Sequence, residues 1–285
     1  MTIHEEGDLL TGLGVDRMKV DSFSIRPYKM TDFAAVRVLF IDDVLAGEPT
    51  PPCVVVEHAL LQGEVFLLTS HSGQVRGAIC LSVRRADNVG LIHWLHAREN
   101  PDVVAALLAF ARNHLKTRKL CAFTAQATRA GVPGLPVAHR PSTARALGAS
   151  GFAPSAAQCY LLRDLTDLPS GTHGPTVKVT SLSDFPGWRL AVVDVGRRAI
   201  ASALLSQPDP QSGTATLWHL TVYGAYRGRG IGHNLLMQCL HVAAAARARR
   251  TAIYIDPHDE QLARFLSAHD FDLVDNLIVY QRSSG

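Results

Sequence analysis

The order of strand-like and helix-like runs is written twice in this 285-residue chain, on either side of a stretch rich in proline and glycine. That stretch, 165–175, carries Pro169, Ser170, Gly171, Gly174 and Pro175 and reads as a linker. Before it, the pattern predicts a strand at 23–26 and a helix capped by Thr31 and Asp32 that runs to about Leu45. Strands follow at 64–69, 75–83 and 91–96, then a helix from Pro101 to about Lys116, a strand at 120–125, a helix at 142–150 and a closing strand at 158–162. After the linker come a strand at 177–180, a hairpin of 190–195 with 199–205, and a strand at 214–222. A helix at 233–248, a strand at 251–255, a helix at 259–268 and a last strand at 277–281 complete the chain. Such alternation is α/β, and its repetition predicts two units in tandem. Their expected bounds are an amino-terminal extension at 1–22, a first unit at 23–164 and a second at 176–285.

Only the second unit carries a glycine turn. Arg227-Gly228-Arg229-Gly230-Ile231-Gly232 follows the 214–222 strand and opens the next helix. Its three glycines let successive amides point at one spot, and the helix adds the positive end of its dipole. With two arginines beside it, the turn is suited to a diphosphate. The spacing is wrong for a dinucleotide fold: the third glycine comes one residue early, and three strands precede the supposed first one. Asp256, near the distance at which an acid would hold a ribose, does not repair this. No Gly-Lys-Ser/Thr exists for a nucleoside triphosphate. The equivalent stretch of the first unit reads His96-Ala97-Arg98-Glu99-Asn100-Pro101-Asp102. It has no glycine, two carboxylates that repel phosphate, and a proline without an N–H, so the first unit is expected not to hold the ligand.

On these residues the second half resembles the GCN5-related N-acetyltransferase (GNAT) superfamily. Leu220-Thr221-Val222, four residues, then Arg227-Gly228-Arg229-Gly230-Ile231-Gly232 match the pattern Arg/Gln-x-x-Gly-x-Gly/Ala, with Phe271 as the terminal aromatic. The first half is similar in element order, so the whole chain resembles a tandem GNAT protein: α/β, two GNAT-like domains, each a mixed, mostly antiparallel sheet flanked by helices. The resemblance implies acetyl-CoA as cosubstrate. Pantetheine would pair with the backbone of Leu220, Thr221 and Val222 where two strands splay. The diphosphate would rest on Arg227, Gly228, Arg229, Gly230, Ile231, Gly232 and His233. The family's helices over the acceptor site have no room between Thr180 and Leu190, so that roof is expected from the first half or a second subunit.

The implied reaction is transfer of an acetyl group to a primary amine of a small molecule, in a ternary complex. The alternative is a non-catalytic CoA-binding regulatory or scaffold protein. An alkylamine is protonated at neutral pH, so a base is needed. Tyr254 and Asp256, at the end of the 251–255 strand, are the candidates. Each also has a plain structural reading, a half-buried strand aromatic and a turn residue. Asp259 reads as a helix cap. The tyrosine that commonly protonates the departing thiolate in the family is replaced by Leu266, with Phe265 before it. His219 reads as a histidine packed under a helix, because alternation sets it opposite Trp218, Leu220 and Val222. His93 and His96 read as structural, and no metal site is expected.

Composition removes other classes. A net charge of +3 advertises neither nucleic acid nor membrane as a partner. Arg247, Arg249 and Arg250 read as cations complementing a helix end. Five cysteines without a CxxC predict reduced, buried thiols in a cytoplasmic protein. Met1–Val15 has no basic start and no apolar core of signal-peptide length, so no signal sequence is expected there, and no apolar run approaches the ~20 residues that span a bilayer. The expected assembly is a monomer, as a pseudo-dimer of its domains, or a homodimer.

Overall fold

A computed structural model describes residues 23–48, 50–116, 119–124, 133–168, 177–183 and 185–283. The expected extension at 1–22 and residues 169–175 of the expected linker lie outside the described residues. The first half contributes β1 (Ser24–Pro27), α1 (Phe33–Asp42), α2 (Cys53–Leu60), β2 (Glu64–Thr69), β3 (Val75–Arg84), β4 (Val89–His96) and α3 (Pro101–Leu115). It continues with β5 (Lys119–Ala122), β6 (Leu135–Pro136), α4 (Pro141–Ala149) and β7 (Ala153–Asp164). The second half adds β8 (Val177–Ser181), β9 (Gly187–Val193), β10 (Ala199–Ser206), β11 (Thr214–Val222) and α5 (Ile231–Ala245). It ends with β12 (Arg250–Ile255), α6 (Glu260–Ser267) and β13 (Asp272–Ser283).

All the strands join one mixed sheet in the order β1-β2-β3-β4-β5-β13-β7-β12-β11-β10-β9-β8, with β6 on β13. The chain halves and the sheet halves do not coincide. β7, from the first half, pairs with β12 of the second, and β13, from the second half, pairs with β5 of the first. β7 and β13 then pair with each other along most of their length. Each half therefore completes its sheet with the other's last strand, a long-range exchange that local sequence pattern does not encode.

The pairs β4–β5 and β11–β12 are parallel, and each is bridged by a crossover helix, α3 or α5. α5 buries Leu235, Leu236, Cys239, Leu240 and Ala243, the face its periodicity predicts, against Leu190, Leu205, Leu217 and Ile253. α3 buries Val104, Leu107, Leu108 and Ala111 in the same way. The opposite face of the first half is covered by α1 and α2 through Val36, Leu39, Phe40, Val56 and Ala59. α2 was not anticipated, because Cys-Val-Val-Val reads as strand; extended Pro52 stands at its start and sets its entry.

Among the described residues the second half has no helix between β8 and β9, in keeping with its short connection. Part of the missing cover comes from the first half. Leu45, just past α1, packs with Tyr160, Trp218 and Tyr254, and Tyr160 Oη donates to the Ala46 carbonyl at 3.1 Å. Of the cysteines, Cys80 and Cys239 are buried, but Cys53 is exposed at the start of α2, against the expectation of buried thiols throughout. Among the described residues, no helix is long and apolar enough to cross a membrane.

Candidate functional site

The β11–β12 ladder stops at Leu217 and Ile253, while β11 runs on to Val222 paired only with β10. The edge of β11 from Trp218 to Val222 is thus open. One cause is a bulge. Leu205 pairs with Leu217 and Leu204 with His219, which leaves Trp218 as the extra residue. The bulge also reverses the alternation. Leu220 and Val222 join the α5 side of the sheet, Trp218 packs on the other side, and His219 is exposed there. The expectation of a buried histidine at 219 fails for that reason.

Beyond Val222 a single 3-10 turn, Gly224–Tyr226, leads into the glycine turn. Gly228 and Gly230 take φ of +73° and +74°, a region that side chains with a Cβ rarely adopt, and a Cβ on either would meet open space. Gly230 stands at the N-cap of α5, and no side chain caps the helix. The first amides of α5 therefore have no partner within the helix and face outward with the dipole behind them. Arg227 Nε donates to the Val222 carbonyl at 3.0 Å, which anchors the side chain at the wall of a cleft.

These parts line a cleft of about 490 Å³. The cleft gathers nine residues singled out from the sequence: Leu220, Thr221, Val222, Arg227, Gly228, Gly230, Ile231, Gly232 and His233. Arg229 is not in the lining; its guanidinium lies 5.8 Å from the Tyr226 ring centroid. The far wall is α6, through Gln261, Leu262 and Phe265, with Asp259 below. Tyr226, Gln261 and Leu262 were missed; the apolar 262/265/266 spacing of α6 was the signal that could have found the last of them. His233 Nδ1 meets His269 Nε2 at 2.7 Å, tying the start of α5 to the end of α6.

The cleft's geometry fits a diphosphate carried on an amide-bearing arm. The open β11 edge offers strand pairing, the free amides offer anion binding, and the glycines leave the approach clear.

At the end of β12, Tyr254 is half-buried between two rings, with centroids 5.0 Å from Tyr160 and 6.0 Å from Trp218. Asp256 is exposed, and its Oδ1 accepts the His258 amide at 2.8 Å in a turn. Asp259 accepts the Leu262 amide at 2.9 Å and caps α6, as its position predicts. Leu266 is wholly buried in the core, and Phe265 lines the cleft, so neither supplies a proton. Near the partner strand, burial raises the Cys159 thiol above its ordinary value, with the Asp256 charge adding to it.

The corresponding place in the first half keeps the same splay. The β4–β5 ladder stops at Ile92 and Ala122, and His93 is the bulged residue, since Leu81 pairs with Ile92 and Cys80 with Trp94. Here the gap is filled from within. His96 Nδ1 bonds the Asp43 carboxylate, and buried Arg140 lies 3.4 Å from the same group. Burial pushes the Asp43 carboxyl up, but Arg140 and then His96 outweigh it and hold the group below its ordinary value. Glu99 crosses to α4 and accepts the amides of Ser142 and Thr143 at 2.6 and 3.1 Å, as well as the Thr143 hydroxyl. Asn100 caps α3 by accepting the amides of Asp102 and Val103, both at 3.1 Å. His93 Nε2 meets Ser82 Oγ at 2.7 Å, which makes both histidines structural. Among the described residues no cluster of His, Cys, Asp and Glu is placed to hold a metal.

Residues 162–271 match a family model described as acetyltransferase (GNAT) family. No curated protein matches the sequence. Among solved structures, the chain is similar to a GCN5-related N-acetyltransferase from Sphaerobacter thermophilus, with TM-score 0.62 and 13% identity over 92% of this chain and 95% of that one. It is similar to a tandem GNAT protein from the clavulanic acid biosynthesis pathway, with TM-score 0.62 and 14% identity over 93% and 99% of the two chains. A GNAT-family acetyltransferase from Colwellia psychrerythraea gives TM-score 0.58 and 10% identity over 92% and 100%. At such identities the likeness is one of fold: two GNAT-like units in tandem, each a mixed, mostly antiparallel sheet flanked by helices.

Proposed function

We propose that this chain, whose residues 162–271 form a GNAT-family domain, moves an acetyl group from acetyl-CoA to a primary amine of a small molecule. The observation that carries the reading is the cleft where an open strand edge, an uncapped helix start and two glycines at positive φ converge. The α5 amides and Arg227 hold the diphosphate, and the free edge of β11 pairs with the pantetheine arm. Bound there, acetyl-CoA supplies an activated thioester. An unpaired amide of the β11 edge would receive the developing negative charge on the acetyl oxygen. The acceptor nitrogen bonds to the acetyl carbon, the carbon–sulfur bond breaks, and the amine's proton passes to solvent through Asp256 or Tyr254. With leucine at 266, the sulfur departs as thiolate, which an ordinary thiol pKa of about 8.5 permits without an acid.

A second reading has one observation behind it. Leu266 occupies the place of the usual proton donor, which suits a protein that binds CoA to sense it. Release of free thiol from acetyl-CoA across a panel of amines separates the two. Turnover with any amine supports the enzyme. Tight CoA binding without turnover favours the sensor. In the same panel, Asp256→Asn should lower the acid limb of the pH–rate profile if the carboxylate takes the proton, and Tyr254→Phe should change it if the phenol does. CoA, and not NAD, is expected to raise the melting temperature.

A further inference from the structure

The face of the second half's sheet that lacks helices is polar in a specific pattern. Residues directly opposite on neighbouring strands share a face, so strand register lists which side chains stand together. One row runs Thr180, Arg189, Leu204, His219, and the next runs Lys178, Ala191, Ser202, Thr221. The first half provides the comparison. Its register places Val65, Cys80 and Trp94 where the second half has Arg189, Leu204 and His219. It places Leu67, Ala78 and His96 where the second half has Ala191, Ser202 and Thr221. In the first half these positions are mostly apolar and lie under α1 and α2. In the second half they carry Arg189, His219 and the hydroxyls of Ser202 and Thr221 beside Leu204 and Ala191, β8 extends the rows with Thr180 and Lys178, and among the described residues no helix lies over them.

Among the described residues, the cations on this face have no anionic partner. The side chains of Lys178, Arg189 and His219 take part in none of the ion pairs or hydrogen bonds among the described residues. Arg189 and His219 are exposed. The first row ends at His219, on the same stretch of β11 whose other edge opens to the cleft. Arg189 stands two strands away, about 10 Å between backbones, a distance a long side chain can halve. On the other side of the splay, just past β12, stands the exposed Asp256 carboxylate. The face is thus negative where the amine must arrive and positive away from it.

We propose that this bare face receives the acceptor, and that Arg189, with Lys178 and His219 beside it, binds a carboxylate or phosphate carried by the same molecule as the amine. The substrate class is a small zwitterionic or anionic primary amine. An arginine fork matches either anion with two parallel hydrogen bonds, and Lys178 adds charge without geometry. The inference rests on the transferase reading above and narrows its acceptor.

The test is thiol release from acetyl-CoA by the full chain, with amines matched in length that end in a carboxylate, a phosphate, a neutral amide or a second amine. The expected result is a kcat/KM about tenfold higher for an anionic acceptor than for the neutral amide. The carboxylate and phosphate arms say which anion the site takes. Arg189→Gln should bring the anionic-to-neutral ratio close to one, Arg189→Lys should keep part of it, and Arg85→Gln, an exposed arginine of the first half, should leave it unchanged. Neutral and anionic amines turned over alike, or a ratio untouched in Arg189→Gln, would overturn the anion site and leave the transferase standing. No turnover with any amine, CoA still binding, would remove both together.

Discussion

Two turns of this molecule sit at equivalent places in a repeated fold and have opposite fates. At both, a parallel ladder ends early, a one-residue bulge opens the strand and a helix begins. After β11 the turn is glycine, the helix start is uncapped and the gap is a cleft. After β4 the turn holds Arg98 and Glu99 at φ of 46° and 54°, and Asn100 and Pro101 consume or delete the helix's first amides. The gap itself is closed by Asp43, His96, Arg140 and Glu99. The splay is a property of the fold, and the two halves differ in whether the donors exposed at it are satisfied from within. The first half has satisfied them internally, and it lends the second half β7 and the segment around Leu45.

The comparison breaks most violently at Asp43. Asp43→Asn removes the anion from a buried pair with His96 and Arg140, and should cost about 3 kcal/mol by denaturant unfolding, because it leaves the buried Arg140 with Glu99 as its remaining charge partner. The wild-type dependence on acid follows in sign. A carboxyl held low in the fold stabilises it above the ordinary value of about 4, and that stability is lost as the pH falls below it. The variant should show less of this acid loss. A variant as stable as wild type would mean the closed gap contributes nothing.

On the open side the largest effect belongs to Gly230. A Cβ there meets no protein atom within 4 Å, so the chain can fold around a valine at a backbone cost of about 1–3 kcal/mol. Its branched side chain would stand where the phosphates approach. CoA affinity measured by calorimetry should fall about 100-fold or more, roughly 2.7 kcal/mol. Unchanged affinity would remove the cradle from the account.

Much of this contrast is legible in the sequence. The strand at 214–222 and the glycines after it have local signatures, and so do the absence of glycine and the proline at 101 in the first half. The strands at 64–69 and 214–222 begin and end where the pattern placed them. What the sequence hid is non-local. The bulge at Trp218 inserts one residue without changing composition, which reversed the reading of His219. Cys53–Leu60 looks like a strand because its valines favour one, yet tertiary packing under the sheet makes it helix. The exchange of β7 and β13 joins strands more than a hundred residues apart. Asp43 and His96 meet across 53 positions, so the filled gap was anticipated only through Glu99, Pro101 and Asp102, not through the groups that fill it.

The smallest predicted effect is the most discriminating. Glu99 was expected to silence the first half by repelling phosphate; in the fold its carboxylate also accepts two α4 amides and a hydroxyl. Glu99→Ala removes both the charge and those bonds, leaving donors at the start of α4 unmet at a cost of about 1–3 kcal/mol. If charge alone kept the coenzyme out, the variant should gain a second site. If the capped helix, the missing N–H of Pro101 and the Asp43–Arg140 closure keep it out, the stoichiometry stays at one CoA per chain. The affinity should then remain within about twofold, since nothing in the second half's cleft has moved. We expect the latter: a helix start whose amides are already bonded to Asn100 has little left to offer a phosphate, whatever charge stands beside it. Titration calorimetry on the variant decides it, and a stoichiometry approaching two would show that repulsion, not satisfaction, separates the halves.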